Sequence, residues 1–442
     1  MRNITYSDRW GKKRLGLLFQ ENTHKNIECI EKTAYQFYFG SIVPKQKFDL
    51  TPDVIEIYKK YIKIKQDDII INGLNLNYDF ISQRVGYVHS KGIITSAYIC
   101  LRPLKDVNSR YYVFLLKAMD AQKVFHGLGT GIRKTLSFSE LKNVLLPVPP
   151  REEQEQIVRF LDWKVSSINK LINIKQQEIT ELKELKKATI SDAVTHGLDK
   201  TVPMKDSGIV WLGNIPKHWK LMRGKNLYLK LQRPVRKDDE VVTCFRDGTV
   251  TLRKHRRTTG FTEAINETGY QGIRKGDLII HVMDAFAGSI GVSDSDGKGT
   301  PVYSVCQAKI NLNNEYYAFL LREMARSGFI QSLYRGIRER SSDFRFEVFA
   351  NQYYSVPPRN EQDQIARFLD ARCADIDRLI AAKQTQITNL HDLKSSLIAD
   401  VVTGQIDVRD VEISDYEQVA ESLYEADDNA TLHSEDEIPE EV

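Results

Sequence analysis

The stretch PPREEQEQIVRFLD, from Pro149 to Asp162, determines the architecture, because the chain uses it twice. PPRNEQDQIARFLD, from Pro357 to Asp370, repeats it 208 positions later, since Pro357 takes the place of Pro149. In both copies a Pro-Pro pair ends the preceding segment and then permits a first helical turn. Acidic residues follow, where they complement the positive end of a helix. Each copy therefore predicts the start of a helix.

The similarity between the copies continues without a gap to Asp199 and Asp407. Over this length apolar residues recur at intervals of three and four, which is the pattern of a seam between two coiled helices. The seam positions are Ile168, Ile172, Ile179 and Leu182 in the first copy and Ile376, Ile380, Ile387 and Leu390 in the second, with Leu185 and Leu393 nearby. A helix from residue 151 to 195 would be about 65 Å long at about 1.5 Å per residue. We expect the two helices to pair antiparallel as a coiled coil.

The two blocks outside these helices, residues 1–146 and 200–354, also resemble each other. RWGKKRLGLLF around Trp10 is similar to HWKLMRGKNLY around Trp219, and YVFLLKAM (Tyr112–Met119) is similar to YAFLLREM (Tyr317–Met324). Short buried-strand signals precede these helical stretches in both blocks. The prediction is an α+β chain: two globular α/β domains at 1–146 and 200–354, and two long helices at 147–199 and 355–409, arranged with pseudo-twofold symmetry.

The charge of the chain is divided unevenly. Residues 410–442 hold 13 Asp and Glu and no Lys or Arg, so they are predicted to form a disordered acidic tail. The rest of the chain has 63 Lys and Arg against 46 of the 59 acidic residues. A body this basic has an electrostatic reason to bind a polyanion, although a basic solvated surface without a partner is the alternative.

Basic residues in loops that contain or adjoin glycine are the candidate nucleic-acid contacts, because arginine fits both phosphates and guanine edges. They are Arg84, Lys91, Arg133 and Lys134 in the first block and Arg253, Lys254, Arg256, Arg257, Arg335, Arg338, Arg340 and Arg345 in the second. Loops that differ on a shared framework are where recognition varies. Each residue alone could be an exposed charge without contacts, but the group favours nucleic acid.

The sequence lacks the motifs of the common nucleic-acid-modifying enzymes. It has no GxxxxGK[ST] phosphate loop, no HExxH zinc motif, and no Asn-Pro-Pro-aromatic tetrapeptide of amino-methyltransferases. PDVIEIYKK (Pro52–Lys60) has residue types of a nuclease site, but Asp53 and Glu56 lie too close together. The nine histidines show no metal-ligand spacing. We therefore expect a non-catalytic chain with no metal.

Other features predict a cytoplasmic protein that does not enter a membrane. The five cysteines are scattered and none forms a CxxC pair, which is typical of free thiols in a reducing compartment. The N-terminal sequence has no apolar signal core. No apolar run approaches the roughly 20 residues that a membrane span needs.

The doubled PP-x-x-EQ-x-x-I-x-x-F-L-D stretch, followed by a long helix, resembles the specificity subunits of type I restriction-modification enzymes. KDSGIVWLGNIPKHWKL (Lys205–Leu221) is similar to the entry into the second target-recognition domain of that family, and GQIDVRD (Gly404–Asp410) to its C-terminal end. The resemblance covers residues 1–410. One departure is His196-Gly197, because the family usually places the glycine directly after the threonine, as at Gly404. This departure concerns only the end of the first helix.

The resemblance implies that each globular domain is a target-recognition domain for one half of a bipartite, asymmetric site in double-stranded DNA. It implies that the helices set the spacer between the half-sites and dock two methyltransferase subunits, and we take Glu153, Gln154, Glu361 and Gln362 as candidate docking residues. Motor-nuclease restriction subunits would join for cleavage. The chain itself would hold no cofactor, since S-adenosylmethionine is expected on the methyltransferase subunit.

Two alternatives remain. A coiled-coil scaffold protein without DNA recognition would explain the helices, but not the basic loops. A restriction-modification enzyme fused to its own recognition domains would explain the loops, but not the missing catalytic and cofactor motifs.

Overall fold

The computed structural model describes residues 5–38, 40–46, 51–79, 83–131, 134–256, 268–333 and 344–420. The chain divides into two compact units: unit 1 comprises Met1–Gln177 and Gln384–Val442, and unit 2 comprises Glu178–Lys383. The division runs through both long helices. Each unit therefore holds one globular domain, the first part of the helix that follows it, and the last part of the other long helix.

Unit 1 is built from short strands and few helices. Its strands are β1 (Gly11–Arg14), β2 (Phe19–Glu21), β3 (Tyr35–Tyr38), β4 (Ser41–Pro44), β5 (Ile62–Ile64), β6 (Ile69–Ile71), β7 (Val85–Tyr87), β8 (Gly92–Ile94), β9 (Ile99–Pro103) and β10 (Leu145–Val148). Its helices are α1 (Pro52–Lys60), α2 (Ser109–Ala121), α3 (Val124–Leu128), α4 (Phe138–Leu141) and the first part of α5 (Arg151–His196).

An antiparallel sheet in the order β2-β9-β6-β7 forms the centre of unit 1. Its inner strand β6 is three consecutive isoleucines, all buried, as a short uninterrupted apolar run predicts. Helix α2 packs on β7, and β1 pairs with β10 immediately before α5. The sheet and α2 thus position the start of the long helix.

Unit 2 repeats this plan. Its strands are β11 (Met204–Asp206), β12 (Asn214–Pro216), β13 (Lys220–Arg223), β14 (Tyr228–Leu231), β15 (Val242–Cys244), β16 (Val250–Leu252), β17 (Gln271–Ile273), β18 (Leu278–His281), β19 (Ile290–Val292), β20 (Gly297–Gly299), β21 (Tyr303–Ala308) and β22 (Tyr353–Val356). Its helices are α6 (Gly224–Leu227), α7 (Asn314–Arg326), α8 (Phe329–Ser332), α9 (Phe346–Asn351) and the first part of α10 (Arg359–Val402). The sheet order β14-β21-β18-β19 matches that of unit 1, and β13 pairs with β22 as β1 does with β10.

The long helices pair antiparallel within each unit, as predicted. In unit 2, Lys186 Nζ lies 2.7 Å from Asp377 Oδ1, and Lys383 Nζ lies 2.8 Å from Glu178 Oε2. From one contact to the next, the residue numbers rise along one helix and fall along the other, so the two helices run antiparallel. In unit 1, Lys394 Nζ donates to Asn169 Oδ1 at 3.2 Å. The α+β architecture with paired long helices is confirmed.

The predicted seam residues face inward. Ile168, Ile172, Ile179, Ile376 and Ile387 are buried, and Leu182, Ile380 and Leu390 are half-buried. Leu185 and Leu393 differ, with exposed fractions of 45% and 55%. These two leucines therefore lie outside the seam.

A glycine ends each long helix. Gly197 follows α5 with φ +73°, and Gly404 follows α10 with φ +76°, so both occupy the left-handed region that favours glycine. A Cβ on Gly404 would lie 2.7 Å from the Trp10 ring, and one on Gly197 would lie 3.1 Å from the Trp219 ring. The first copy places its glycine one residue later after the threonine than the second copy does. Both glycines nevertheless end their helix in the same way and contact a tryptophan.

The prediction of a disordered tail is wrong for its first part. Residues 411–420 run without regular secondary structure beside α5, where side chains of the helix bind their backbone carbonyls. Composition did not indicate this, because the bonds use main-chain atoms. The rest of the predicted tail, 421–442, lies outside the described residues.

Two further findings concern expectations from the sequence. Cys100, Cys244, Cys306 and Cys373 are buried, Cys29 is half-buried, and all five thiols are free. Within the described ranges, no helix is both long enough and apolar enough to cross a membrane.

Candidate nucleic-acid interface

The repeated Pro-Pro-x-x-Glu-Gln motif forms an internal contact in unit 1. The indole N–H of Trp10 donates to Glu153 at 3.1 Å. The side-chain amide of Gln154 donates to the Pro149 carbonyl at 2.8 Å and accepts the Asn108 backbone N–H at 3.4 Å. Asn108 is also the N-cap of α2. These residues, here called latch 1 (Trp10, Asn108, Glu153 and Gln154), fasten the start of α5 to the domain.

The second copy of the motif builds the same contact in unit 2. Latch 2 consists of Trp219, Asn313, Glu361 and Gln362. Trp219 donates to Glu361 at 2.9 Å, Gln362 donates to the Pro357 carbonyl at 2.8 Å, and the Asn313 N–H donates to Gln362 at 2.9 Å. A buried amide needs partners for both of its polar atoms, and the motif supplies them twice.

The latches contradict the docking role predicted for Gln154 and Gln362. Gln154 and Gln362 are only 3% and 1% exposed, so a partner subunit cannot reach them. The carboxylates of Glu153 and Glu361 already accept the indole N–H of the same unit. The motif is therefore repeated because each unit makes the same internal packing contact.

A tyrosine in each unit binds the end of the other long helix. Tyr111 on α2 donates its hydroxyl to the Val402 carbonyl at 3.0 Å, and Tyr316 on α7 donates to the Val194 carbonyl at 3.1 Å. Burial raises the pKa of both phenols, so they remain protonated donors at neutral pH. Each domain is thus bonded to both helices of its unit.

Three candidate basic residues of unit 2, Arg253, Lys254 and Arg256, lie at the hairpin of β15 and β16. The turn contains Asp247 and Gly248, and Gly248 has φ +88°. The Arg322 guanidinium supports the turn by donating to the Asp247 carbonyl at 3.0 Å. A Cβ on Gly248 would lie 1.7 Å from Arg322 Nη1, so this close support requires glycine. We call residues 242–256 the arginine hairpin.

The tip of the arginine hairpin carries basic and acidic side chains close together. Arg256 binds both carboxylate oxygens of Asp247, at 2.9 and 2.6 Å, and its guanidinium lies 4.5 Å from the Phe245 ring centroid. Burial alone raises the pKa of Asp247, but Arg256 and the Thr249 N–H bring it down to about 2. Arg246 lies on the other side of the turn, 3.2 Å from Asp284, and its side chain is 65% exposed. The tip therefore presents an exposed guanidinium next to Asp284.

The other predicted contacts of unit 2 have varied surroundings. Lys254 pairs with Glu240 at 2.5 Å, and Arg253 donates to the Thr243 hydroxyl at 3.4 Å. Arg345 is exposed immediately before α9. Arg257, Arg335, Arg338 and Arg340 lie outside the described residues. The structure thus brings Arg253, Lys254 and Arg256 together at the arginine hairpin.

Arg84, predicted as a contact in unit 1, is instead part of the core. It is 1% exposed, and its guanidinium donates to the carbonyls of Asn72, Leu74 and Asp79 at 3.2, 2.7 and 2.8 Å. Such a buried cation is retained because it satisfies carbonyls that would otherwise lack partners. Arg84 therefore organises the loop after β6 and cannot contact a ligand.

The remaining candidates of unit 1 stay at the surface. Lys91, in the turn between β7 and β8, has an 80% exposed side chain that lies 3.4 Å from Glu31. Exposed pairs of this kind contribute little, so Lys91 can exchange Glu31 for another anion. Lys134 is exposed with φ +38°. Arg133 lies outside the described residues.

The comparisons with known proteins agree on one family. The sequence model of the family described as Type I restriction modification DNA specificity domain matches residues 8–184. The specificity subunit of the type I restriction enzyme MjaVIII of Methanocaldococcus jannaschii is 23% identical over 375 residues, which cover 80% of this chain and 84% of that protein. The specificity subunit of the Escherichia coli enzyme EcoBI is 23% identical over 298 residues, covering 62% of this chain and 60% of that protein. The chain is therefore similar to type I restriction enzyme specificity subunits, and residues 8–184 match their DNA specificity domain.

The fold agrees with this assignment. A solved chain, from work titled "Structural basis underlying complex assembly and conformational transition of the type I R-M system", superposes with a TM-score of 0.66 at 14% identity. The superposition covers 91% of this chain and 99% of that chain. The matched family segment contains the domain of unit 1, and unit 2 repeats its sheet order and its latch.

Two features of this chain were missed in the sequence. Arg246 stands directly before the Asp-Gly turn, a position that could have indicated the exposed tip of a hairpin. The second feature is a set of leucines on the outer side of the long helices. Leu171 and Leu379 occupy equivalent positions in the repeat and are 47% and 51% exposed, as are Leu185 and Leu393 at 45% and 55%. Their recurrence outside the seam was the available signal.

Proposed function

We propose that this specificity subunit directs a type I restriction-modification complex to a bipartite DNA site, with one half-site recognised by each unit. The observation that carries the proposal is that one sheet order and one latch are built twice beneath different surface loops. A repeated framework holds two domains in the same internal geometry, while unlike loops select unlike base sequences. The recognised site would therefore be asymmetric.

Basic loops would supply the part of the binding energy that does not depend on sequence. Contacts from lysine and arginine to phosphates position a protein on DNA, and contacts to base edges select the sequence. Lys91 and Lys254 are exposed in pairs that a phosphate can replace. Arg246 is exposed next to the hairpin turn, and its pair with Asp284 can be replaced, so it is available for a contact to a base edge.

The chemistry would belong to partner subunits. Two modification subunits would carry S-adenosylmethionine and methylate adenine, and restriction subunits would join them for cleavage. The missing catalytic and cofactor motifs in this sequence support that division of labour. The specificity subunit would contribute recognition and positioning.

The exposed leucines would form the docking positions for the modification subunits. Leu171 and Leu393 belong to unit 1, and Leu379 and Leu185 belong to unit 2. Because the helices pair antiparallel, the two leucines of each unit lie at about the same height along the two helices. Each unit thus offers two exposed leucines, one from each helix, and exposed apolar positions of this kind suit protein contacts.

A methylation map tests the proposal. The specificity subunit would be expressed with its modification subunit in a host without DNA methylation, and methylated adenines would be located across the genome. We expect one new motif of two short half-sites around a fixed gap, absent when the modification subunit is expressed alone. If the two proteins associate and no motif appears, DNA recognition is refuted and the scaffold alternative gains support.

Replacement of Arg246 by alanine is expected to change one half-site only. A lost contact to a base edge costs about 1–3 kcal/mol, so we expect the affinity for the intact site to fall by about fivefold to 150-fold. The methylation motif should relax at one position of the half-site read by unit 2. The measurement is DNA binding at fixed salt together with the methylation map.

The matched control is Lys254→Ala, which removes the same charge from the same hairpin. This change should weaken binding to all sequences alike and leave the motif intact. Equal effects of both substitutions on unrelated DNA would mean that Arg246 contributes charge and no specificity.

A further inference from the structure

The loop after β6 in unit 1 and the loop after β18 in unit 2 each expose an apolar side chain at the same position. Leu74 is 37% exposed and Met283 is 48% exposed. The sequence places them in register, because DDIIIN (Asp67–Asn72) matches GDLIIH (Gly276–His281) and each apolar residue comes two positions later. We call residues 72–79 loop 1 and residues 281–289 loop 2.

Backbone hydrogen bonds show that the two positions are equivalent in the fold. The carbonyl of Gly73, directly before Leu74, accepts the N–H of Leu136 at 2.9 Å. The carbonyl of Val282, directly before the exposed methionine, accepts the N–H of Phe344 at 3.0 Å. Both loops therefore leave their sheet in the same way, and both then expose an apolar side chain.

Loop 1 is held from inside its domain. The buried guanidinium of Arg84 donates to the carbonyl of Leu74 itself at 2.7 Å and to that of Asp79 at 2.8 Å. Between these two bonds Leu76 is 1% exposed, and its N–H donates to the carbonyl of Lys134 at 3.2 Å. Because the side chain of Lys134 is exposed, loop 1 combines a fixed apolar residue with a neighbouring cation.

Loop 2 lies against the arginine hairpin. Asp284, directly after Met283, lies 3.2 Å from Arg246, and its backbone N–H donates to His281 Nδ1 at 3.1 Å. A Cβ on Gly288 would lie 2.7 Å from the Arg246 carbonyl, so the loop and the hairpin are in close contact. Met283 is thus one residue away from the partner of an exposed guanidinium.

An apolar side chain among cations suits one particular group of DNA. Phosphates and most base edges are recognised by hydrogen bonds, and leucine and methionine have no N–H or O–H to donate. Thymine differs from the other bases because it presents a methyl group in the major groove, which apolar side chains contact. Basic neighbours such as Arg246 and Lys134 would attract the DNA, and the apolar residue would then meet this methyl group.

We propose that Leu74 and Met283 each contact the methyl group of a thymine in the half-site read by their unit, which makes them specificity-determining residues. This inference rests on the proposed function, because it assumes that each unit reads DNA. Each half-site would then contain a thymine, on one strand or the other. Removal of that methyl group alone should weaken binding by about fourfold, which is the usual effect of leaving one such group unburied.

The test uses the complex of this chain with its modification subunit and the site found by the methylation map. Single thymines of the site are replaced by uracil, which keeps every hydrogen-bonding group and lacks only the methyl. One uracil in each half-site should weaken binding by about fourfold. Met283→Ala should weaken binding to the thymine site by a similar factor and abolish the uracil effect in one half-site. Leu74→Ala should do the same in the other half-site.

Two kinds of control variant accompany the alanine substitutions. Met283→Leu and Leu74→Met keep an apolar side chain at the same position, so they should retain the sensitivity to uracil. Leu17→Ala in unit 1 and Val210→Ala in unit 2 remove apolar side chains that are 65% and 96% exposed elsewhere. Both should leave the uracil effect of each half-site unchanged.

The possible results separate this inference from the proposed function. A complex that binds thymine and uracil alike at every position, or a half-site without thymine on either strand, would overturn the inference while leaving DNA recognition intact. A uracil effect that persists in both alanine variants would also overturn it, because another residue would then contact the methyl. Absence of any methylation motif would refute the proposed function and this inference with it. A uracil effect that each alanine variant removes in one half-site only supports the inference.

Discussion

Replacing Trp219 by alanine is expected to lower the free energy of unfolding of unit 2 by about 3–5 kcal/mol. The side chain is 1% exposed, its N–H donates to Glu361 at 2.9 Å, and its ring packs against Gly197 at the end of α5. Alanine would leave a large cavity and would remove one partner of the Glu361 carboxylate, which would keep its contact with His218 at 2.8 Å. Both consequences destabilise the contact that fastens two helices to one domain.

Hydrogen exchange followed by mass spectrometry would measure this loss peptide by peptide. Exchange should rise in peptides of 214–223 and 359–370, while latch 1 keeps its protection. Trp219→Phe is the matched control, because it keeps an aromatic ring at the site while removing the N–H and part of the indole. We expect it to cost about 1–2 kcal/mol, from one hydrogen bond to a charged group. Trp10→Ala should raise hydrogen exchange around latch 1 in unit 1 and leave latch 2 protected.

A uniform rise of exchange through both units after Trp219→Ala would contradict the assignment of each latch to its own unit. Protection equal to that of the unsubstituted chain would show that the tryptophan contact contributes little to stability. Either result would also weaken the explanation given above for the repeated motif.

The long helices and their seam were predictable because their signals are local. Apolar spacing placed Ile172 and Ile376 inside, and the structure finds both buried. The Pro-Pro pairs marked the starts of α5 and α10, which begin at Arg151 and Arg359. Periodicity and helix-start rules depend only on neighbouring residues, so they can be applied without knowledge of the fold.

The role of the repeated motif was not predictable from its repetition. A residue that recurs in two copies can serve two partners or two packing contacts, and the pattern is the same in both cases. The partner of Glu153 is Trp10, and that of Glu361 is Trp219, each more than 100 positions away. Only the folded sheet brings these residues together.

Arg84 and residues 411–420 show a second limit. Both depend on bonds to backbone carbonyls, which every residue carries, so residue types do not reveal the contact. A basic residue in a loop suggested a DNA contact, and an acidic tail suggested disorder, because composition describes side chains alone. The position of the main chain determines both the burial of Arg84 and the placement of residues 411–420.

Inserting four residues into both long helices, after Gln177 and after Lys383, is expected to change the spacing of the recognised half-sites. At these two points the helices pass from one unit into the other. Four helical residues add about 6 Å and slightly more than one turn, which keeps the seam close to its phase. Since about 10 base pairs span 34–36 Å, the unspecified gap should grow by about two base pairs.

A methylation map of the double insertion would show the same two half-sites around the longer gap, with modification at the original site lost. The control is the insertion after Gln177 alone, which displaces one helix against the other. That change should separate pairs such as Lys186 with Asp377 or Asn169 with Lys394, and it should reduce modification at every spacing. An unchanged gap in the double insertion would refute the helices as the element that sets the spacing. An altered half-site would instead mean that the insertion had disturbed a recognition domain. The lengthened gap with intact half-sites is the one result that requires recognition by the domains and spacing by the helices.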